Sequence, residues 1–265
     1  MVDPRSWGAV IAILLPRTIE KRYSMDSSYR MLIDGRLVQA SGGETSQVIN
    51  PANGQPFALV PKATVEDLNT AVEAAAKAQP EWSRLHPGER GKILVRLASY
   101  IREHESELVE LETRQYGGPV FKTSQFDIPA ASDMLEFYAG IGRGLSGLTL
   151  PAGPSARAMT VREPLGVLGL ITPWNFPLVT AIAKISPALI TGNACVVKPA
   201  SCAPLTVLRL GEFAVEAGVP AGVLNIISGP GSVIGEALVA HPKVAKVNFT
   251  GDSDTGKRIM CLASS

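Results

Sequence analysis

From Gly166 onward, short unbroken apolar runs alternate with longer segments of helical periodicity. Val167-Leu168-Gly169-Leu170-Ile171 is apolar at every position, as a strand buried on both faces must be. Cys195-Val196-Val197 repeats the pattern, while Val223-Leu224-Asn225-Ile226-Ile227 and the stretch from Val244 to Thr250, which carry Asn225, Lys246 and Asn248, read as the third and fourth strands. A helix is expected from about Leu178, disturbed at Pro187, which lacks an amide hydrogen. A second covers Leu205 to Ala217 and stops at Gly218, with Pro220 beyond. A third, capped by Ser232, runs to Ala240. A fourth covers Thr255 to Ala263. Strands alternating with helices predict right-handed crossovers and a doubly wound parallel sheet, with ligands at the carboxyl ends of the strands.

The first half reads differently. Residues 31–60 suggest short strands and turns. Thr64-Val65-Glu66-Asp67 has the form of a capping box, because Thr64 can accept from a free amide and Asp67 can reach back. The helix it opens is expected to reach about Lys77. Ile93, Leu94, Leu97, Tyr100, Ile101, Leu108 and Leu111 recur near helical spacing and predict one long helix over Glu89 to Tyr116. A further helix covers Pro129 to Gly140. The Gly-, Pro- and Ser-rich stretch from Leu145 to Arg162 reads as a bridging arm rather than a packed helix.

Composition narrows the function class. Of the 265 residues, 46% are hydrophobic and 18% charged, enough apolar mass for a core and too little charge for disorder. The net charge of +1 gives no overall attraction to nucleic acid or to an anionic membrane, though a local basic pocket is compatible with it. The three cysteines, Cys195, Cys202 and Cys261, lack CxxC spacing, which speaks against a disulfide framework and a structural zinc site. The three histidines are scattered, so no metal is expected. Arg5 precedes the apolar run Trp7 to Leu15, faintly like a signal peptide, but no A-x-A cleavage site follows. That run is shorter than the ~20 residues of a membrane helix. Met25 is expected to be the true start of a cytoplasmic protein.

The strand ends carry the chemistry. Asn175, just past the first apolar strand, offers an amide that could donate to an oxygen becoming negative during reaction; it could equally be a turn residue capping the next helix. Lys198 closes the second strand, as a ligand for hydroxyls or as a solvated lysine. Gly229, Gly231 and Gly235 follow the third strand. Phe249-Thr250-Gly251 and Gly256 close the fourth, where backbone amides at a helix start could face phosphate. An amide, a cation and two glycine turns are what a dinucleotide site needs. A phosphate-binding NTPase is the rival, since Gly251 to Arg258 nearly fits G-x-x-x-x-G-K-[ST]. There Arg258 stands where a magnesium-binding hydroxyl belongs, and Asp252 and Asp254 would repel triphosphate.

The motifs Pro173-Trp174-Asn175-Phe176-Pro177, Val197-Lys198-Pro199, Gly229-Pro230-Gly231 and Phe249-Thr250-Gly251 resemble, in order and spacing, those of the NAD(P)-dependent aldehyde dehydrogenase superfamily. The resemblance runs from about Met31 to Ser265. Earlier parts are Ile33-Asp34-Gly35, Asn50-Pro51-Ala52-Asn53-Gly54 and Leu111-Glu112-Thr113, although the family often has Lys where Gly118 stands. It implies an α/β, aldehyde dehydrogenase-like fold with a Rossmann-type parallel sheet preceded by an α-helical and short-strand region. The implied organisation is an unmatched extension over 1–24, amino-terminal strands and helices over 25–144, a bridging arm over 145–163 and a cofactor-binding core over 164–265. The family's catalytic glutamate and cysteine would lie past Ser265, so the chain reads as a fragment without the catalytic domain, inactive alone. Cys261 does not sit in the nucleophile's motif.

The resemblance further implies NAD or NADP as cofactor and an aldehyde as substrate, with no nucleic acid and no membrane as partner. It implies a homo-oligomeric parent. Asn175 is implied as the oxyanion donor. The implied cofactor contacts are Ile171, Thr172, Pro173, Trp174, Lys198, Ser201, Gly231, Gly235, Phe249, Thr250, Gly251, Asp252 and Thr255. Two positions depart from the family. Ser201 replaces a frequent Glu whose carboxylate repels a 2′-phosphate, so NADP is expected to be tolerated. Ser201 could instead cap a helix. Asp252 replaces a frequent Ser and would repel pyrophosphate unless it turns outward as a helix cap. A non-catalytic nucleotide-binding fragment is the alternative function.

Overall fold

The computed structural model describes residues 29–264; the readings made for residues 1–24 and Met25 lie outside them. The predicted strands form β7 (Val167–Ile171), β8 (Ala194–Lys198), β9 (Leu224–Ile226) and β10 (Val244–Phe249), with β7, β8 and β9 buried at every position. They pair in parallel in the order β10-β7-β8-β9. The sheet does not end there. β1 (Met31–Ile33) and β2 (Arg36–Val38) form a hairpin that adds antiparallel to β9, giving a six-stranded mixed sheet. Its turn residues Asp34 and Gly35 have φ of 51° and 72°, the positive values that a two-residue hairpin with matching twist requires. Buried Asn225 of β9 accepts from the Asp34 amide at 3.0 Å and so locks the hairpin to the sheet.

β3 (Thr45–Asn50) and β4 (Gln55–Pro61) make a separate antiparallel pair. Helix α1 (Val65–Arg84) starts with the predicted capping box: the Thr64 hydroxyl accepts from Asp67 N–H, and the Asp67 carboxylate accepts from Thr64 N–H. It does not stop near Lys77 but continues through Pro80. Trp82 is buried and donates its indole N–H to the Leu189 carbonyl at 2.9 Å, and the Gln79 amide donates to the Gly192 carbonyl. These tertiary contacts hold the last turns where local propensity would end them.

The long helix expected over Glu89 to Tyr116 is two helices, α2 (Pro87–Glu103) and α3 (Glu105–Tyr116). The break is at His104, whose backbone leaves helical geometry (φ −109°, ψ 21°) while its ring packs 4.6 Å from that of Phe213. A turn at Val120–Lys122 and a π turn at Thr123–Asp127 lead into α4 (Ile128–Ile141). The predicted arm carries a two-stranded hairpin, β5 (Thr149–Leu150) with β6 (Ala158–Met159), mostly exposed.

Helix α5 (Pro177–Ile190) runs through Pro187 without ending there, buried over most of its length. α6 (Leu205–Glu216) follows β8. After β9, a π turn (Gly231–Gly235) runs into the short α7 (Glu236–Val239). Ser232 does not cap it: Pro230 holds the N-cap position, and its carbonyl accepts from Val233 and Ile234 N–H. α8 (Ser253–Ala263) follows β10. α5 and α6 pack on one face of the sheet, α1 and α7 on the other. The chain steps from β7 to β8 to β9 in one direction, then returns to place β10 on the far side of β7. The order therefore reverses between β7 and β10, where open α/β sheets leave a ligand crevice.

Candidate functional site

Three strand ends meet in one row. Ile171 pairs with Lys198 on one side and with Phe249 on the other. Past the row, Thr172 N–H donates to the Lys198 carbonyl and Thr250 N–H to that of Ile171, each at 3.2 Å. With strands ~4.8 Å apart, these positions span only ~10 Å. A cleft of about 250 Å³ opens here, and Ile171, Lys198, Gly231, Gly235 and Thr255 line it. Five residues singled out from the sequence thus line one cleft.

Lys198 is 4% exposed, which removes its reading as a solvated strand-end lysine. Its ammonium donates to the Pro199 carbonyl at 3.0 Å. Burial disfavours the charged form and lowers its pKa from 10.5 to about 8. Among the described residues its hydrogen-bond partner is a backbone carbonyl, so the buried cation retains donors for an added oxygen ligand. A side chain at Gly235 would come within 3.8 Å of Lys198 Cδ, whereas one at Gly231 would meet nothing within 4 Å. The π turn therefore presents an open backbone to the cleft.

Ser201 lies beside this cleft. Its hydroxyl donates to the Gly229 carbonyl at 2.8 Å, and with Gly231 it lines a neighbouring cleft of about 330 Å³. It caps no helix, since Pro204 holds that position at α6. Asp252 does what its bland reading foresaw. It is the N-cap of α8, accepting from Thr255 N–H at 2.9 Å and from the Thr255 hydroxyl at 2.7 Å. The Thr255 amide and then its hydroxyl hold the Asp252 pKa below the ordinary value. This carboxylate already occupies the anion position at the helix start. The NTPase reading fails for the same reason. Helix begins at Ser253, two residues after Gly251, and leaves no open phosphate loop; Lys257 turns to Asp254 and Arg258 to Glu236.

Asn175 and Trp174 are exposed in the turn between β7 and α5 and do not line the cleft. Asn175 is not the helix cap, because Phe176 holds that position without a side-chain bond. Pro173 is half-buried, and Thr172 is buried with a hydroxyl that has no partner. Thr250 is exposed, its hydroxyl accepting from Lys184 at 2.8 Å. Lys184 was not foreseen. It is buried, donates also to Asn248, and has its pKa lowered to about 8 by burial. The available signal was a lone charge in the mostly apolar helix Pro177–Ile190. Glu236 and Arg258, an ion pair at 2.8 Å on the cleft wall, carried no comparable signal.

With this geometry in place, comparison with known proteins is direct. The model of the aldehyde dehydrogenase family matches residues 37–265. This chain belongs to the aldehyde dehydrogenase family. It is 46% identical over 239 residues to phenylacetaldehyde dehydrogenase of Pseudomonas fluorescens, covering 87% of this chain and 48% of that protein. An aldehyde dehydrogenase from Bacillus cereus, solved as an NAD+ complex, is 38% identical with a TM-score of 0.90, covering 94% and 51%. A structure described as an E. coli NADP dependent enzyme is 35% identical with a TM-score of 0.87, covering 92% and 50%. The chain spans about half the length of these relatives. As an aldehyde dehydrogenase chain, it carries the aldehyde dehydrogenase-like α/β fold on its parallel strands. Among the described residues, no helix is long and apolar enough to cross a membrane.

Proposed function

We propose that this chain is the cofactor-binding part of an enzyme that oxidises an aldehyde to a carboxylic acid with NAD(P)+. The observation that carries this reading is Lys198, a buried ammonium opening on the cleft where the strand order reverses. Its free donors fit ribose hydroxyls. The open backbone at Gly231 fits close approach of a dinucleotide, and Ile171 lines the same cleft. Trp174, Pro173, Phe249, Thr250 and Gly251 are cofactor contacts on the family resemblance alone, and Asp252 is directed into its own helix cap rather than at phosphate. The bound nicotinamide supplies the hydride acceptor.

In the parent protein the mechanism is covalent. A thiolate adds to the aldehyde carbon, and the Asn175 amide donates to the oxygen as it becomes an anion. Hydride departs from that carbon, leaving a thioester that water cleaves to the carboxylate. The thiolate and the base that activates water are expected from outside these residues. Cys195 is buried, its thiol pushed well above the usual range by desolvation, and neither it nor Cys261 lies on the Asn175 turn. The alternative of a purely nucleotide-binding chain predicts the same binding without the reaction in any longer form. Homo-oligomeric assembly of the parent rests on the family resemblance.

Calorimetric titration of the 265-residue chain with NADP+ and NAD+ tests the reading. Both should bind, NADP+ at least as tightly, because Ser201 offers no carboxylate against a 2′-phosphate. Ser201→Glu should weaken NADP+ alone, by about tenfold, the order of one charge-assisted contact. Binding of neither cofactor would overturn the proposal. Aldehyde-dependent NADPH formation by this chain would refute the placement of the nucleophile elsewhere.

A further inference from the structure

Asn175 has no side-chain hydrogen bond among the described residues, and Trp174 beside it is 57% exposed. A donor that must meet a developing charge needs fixed geometry, so something other than Asn175 itself must fix it. The neighbours at one and three residues beyond are both held by side chains from the preceding helical segments. Glu112 of α3, fully buried, accepts from Leu178 N–H at 3.1 Å with one carboxylate oxygen. Its other oxygen accepts from the Gln115 amide at 2.7 Å and the Thr206 hydroxyl at 2.6 Å. Pro177 has no N–H, so Leu178 provides the first donor of α5, one of the amides a helix leaves without an internal partner; burial pushes the Glu112 pKa up to about 7, so the hold rests on the hydrogen bond. Gln115, one turn along α3, accepts from Leu205 N–H at 2.7 Å, the start of α6. One face of α3 therefore ties down the helix starts that follow both functional strands.

The second hold is on Phe176. Lys122 places its ammonium 3.6 Å from the centre of the Phe176 ring. The same ammonium donates to Asp127 at 2.8 Å and to the Tyr116 hydroxyl at 2.7 Å, and that hydroxyl donates to Asp127 at 2.7 Å. Asp127 is fully buried, so the cation is anchored to a fixed charge while it stacks on the ring. Cation–π contacts gain strength when desolvated. The position follows from the local sequence: Gly118 has no side chain, and the Tyr116 ring fills the place where one would stand.

We propose that Glu112 and Lys122 are positioning residues for Asn175, clamping the turn that presents its amide through Leu178 N–H and the Phe176 ring. This rests on the reading of Asn175 as the oxyanion donor. The test does not depend on cofactor or aldehyde. The 265-residue chain is labelled with 5-fluorotryptophan, its Trp174 fluorine resonance assigned with Trp174→Phe, and amide exchange is followed in parallel. Lys122→Met and Glu112→Ala should shift or broaden the Trp174 resonance and speed exchange over residues 174–180 at least about tenfold. Exchange in α1 should stay within about twofold of wild type. Lys122→Arg should restore both signals, because guanidinium can pair with Asp127 and stack on Phe176. An unchanged Trp174 resonance in Lys122→Met would overturn the proposal. So would acceleration spread equally over α1 and β8, or failure of Lys122→Arg to rescue. If Glu112→Ala does not fold, the two partly exposed Lys122 variants still decide the matter. Cofactor titration of the same samples reports separately on the proposed function.

Discussion

Two glycine turns in this molecule look alike in sequence and behave as opposites. Each follows a parallel strand and opens a helical segment. At Gly251 the helix start is closed by its own carboxylate, Asp252, which takes the Thr255 amide and hydroxyl. At Gly231 no side chain caps the turn, and the space beside the α-carbon is empty. The second turn faces the buried Lys198 across the cleft. Anion-binding capacity at a helix start depends on free donors, not on glycine alone. The difference assigns cofactor contact chiefly to the Gly231 turn and a structural cap to the Gly251 turn.

The strongest way to break this comparison is to fill the open turn. Gly231→Val places a branched side chain beside the cleft, starting from a Cβ that meets nothing within 4 Å. NADP+ affinity should fall by about 100-fold, roughly 3 kcal/mol, with thermal stability nearly unchanged. A titration showing unchanged affinity would make the two turns equivalent.

The next effect comes from the cation. Lys198→Met should weaken NADP+ by about tenfold while stabilising the chain at neutral pH by up to about 3 kcal/mol. The sign follows from linkage. The lysine pKa falls from 10.5 to about 8 in the fold, so between those values the unfolded chain binds more protons. Wild-type stability therefore gains from this group as pH rises from about 8, and the gain is absent in the methionine variant. Denaturant titrations at pH 7 and 9 measure both.

The smallest effect sharpens the other side. Asp252→Ala should lower the midpoint of thermal unfolding, as loss of a cap does, and change NADP+ affinity by less than about twofold. The depressed pKa of Asp252 means its contribution is present at neutral pH and lost as pH falls through the acidic range. The variant should not show that loss.

Strand β7 was legible because burial on both faces leaves an unbroken apolar run, and the Thr64 capping box because both partners lie within three residues. The reach of α1 past Lys77 was not, because Trp82 finds its acceptor in Leu189, far along the chain. The break at His104 depends on Phe213 in the same way. At the site, the burial of Lys198 could be argued from the apolar strand before it. The turn of Asp252 into its helix was one of two open choices, since a carboxylate at a helix start can cap its own helix or stand against the pyrophosphate. The hold of Glu112 on Leu178 crosses between two helices, and no local pattern announces it.

The most direct test of the account is amide exchange of the 265-residue chain with and without saturating NADP+. Protection should appear at residues 231–236, with little change at 252–256. Protection concentrated at 252–256, with the Gly231 turn unaffected, would contradict the assignment.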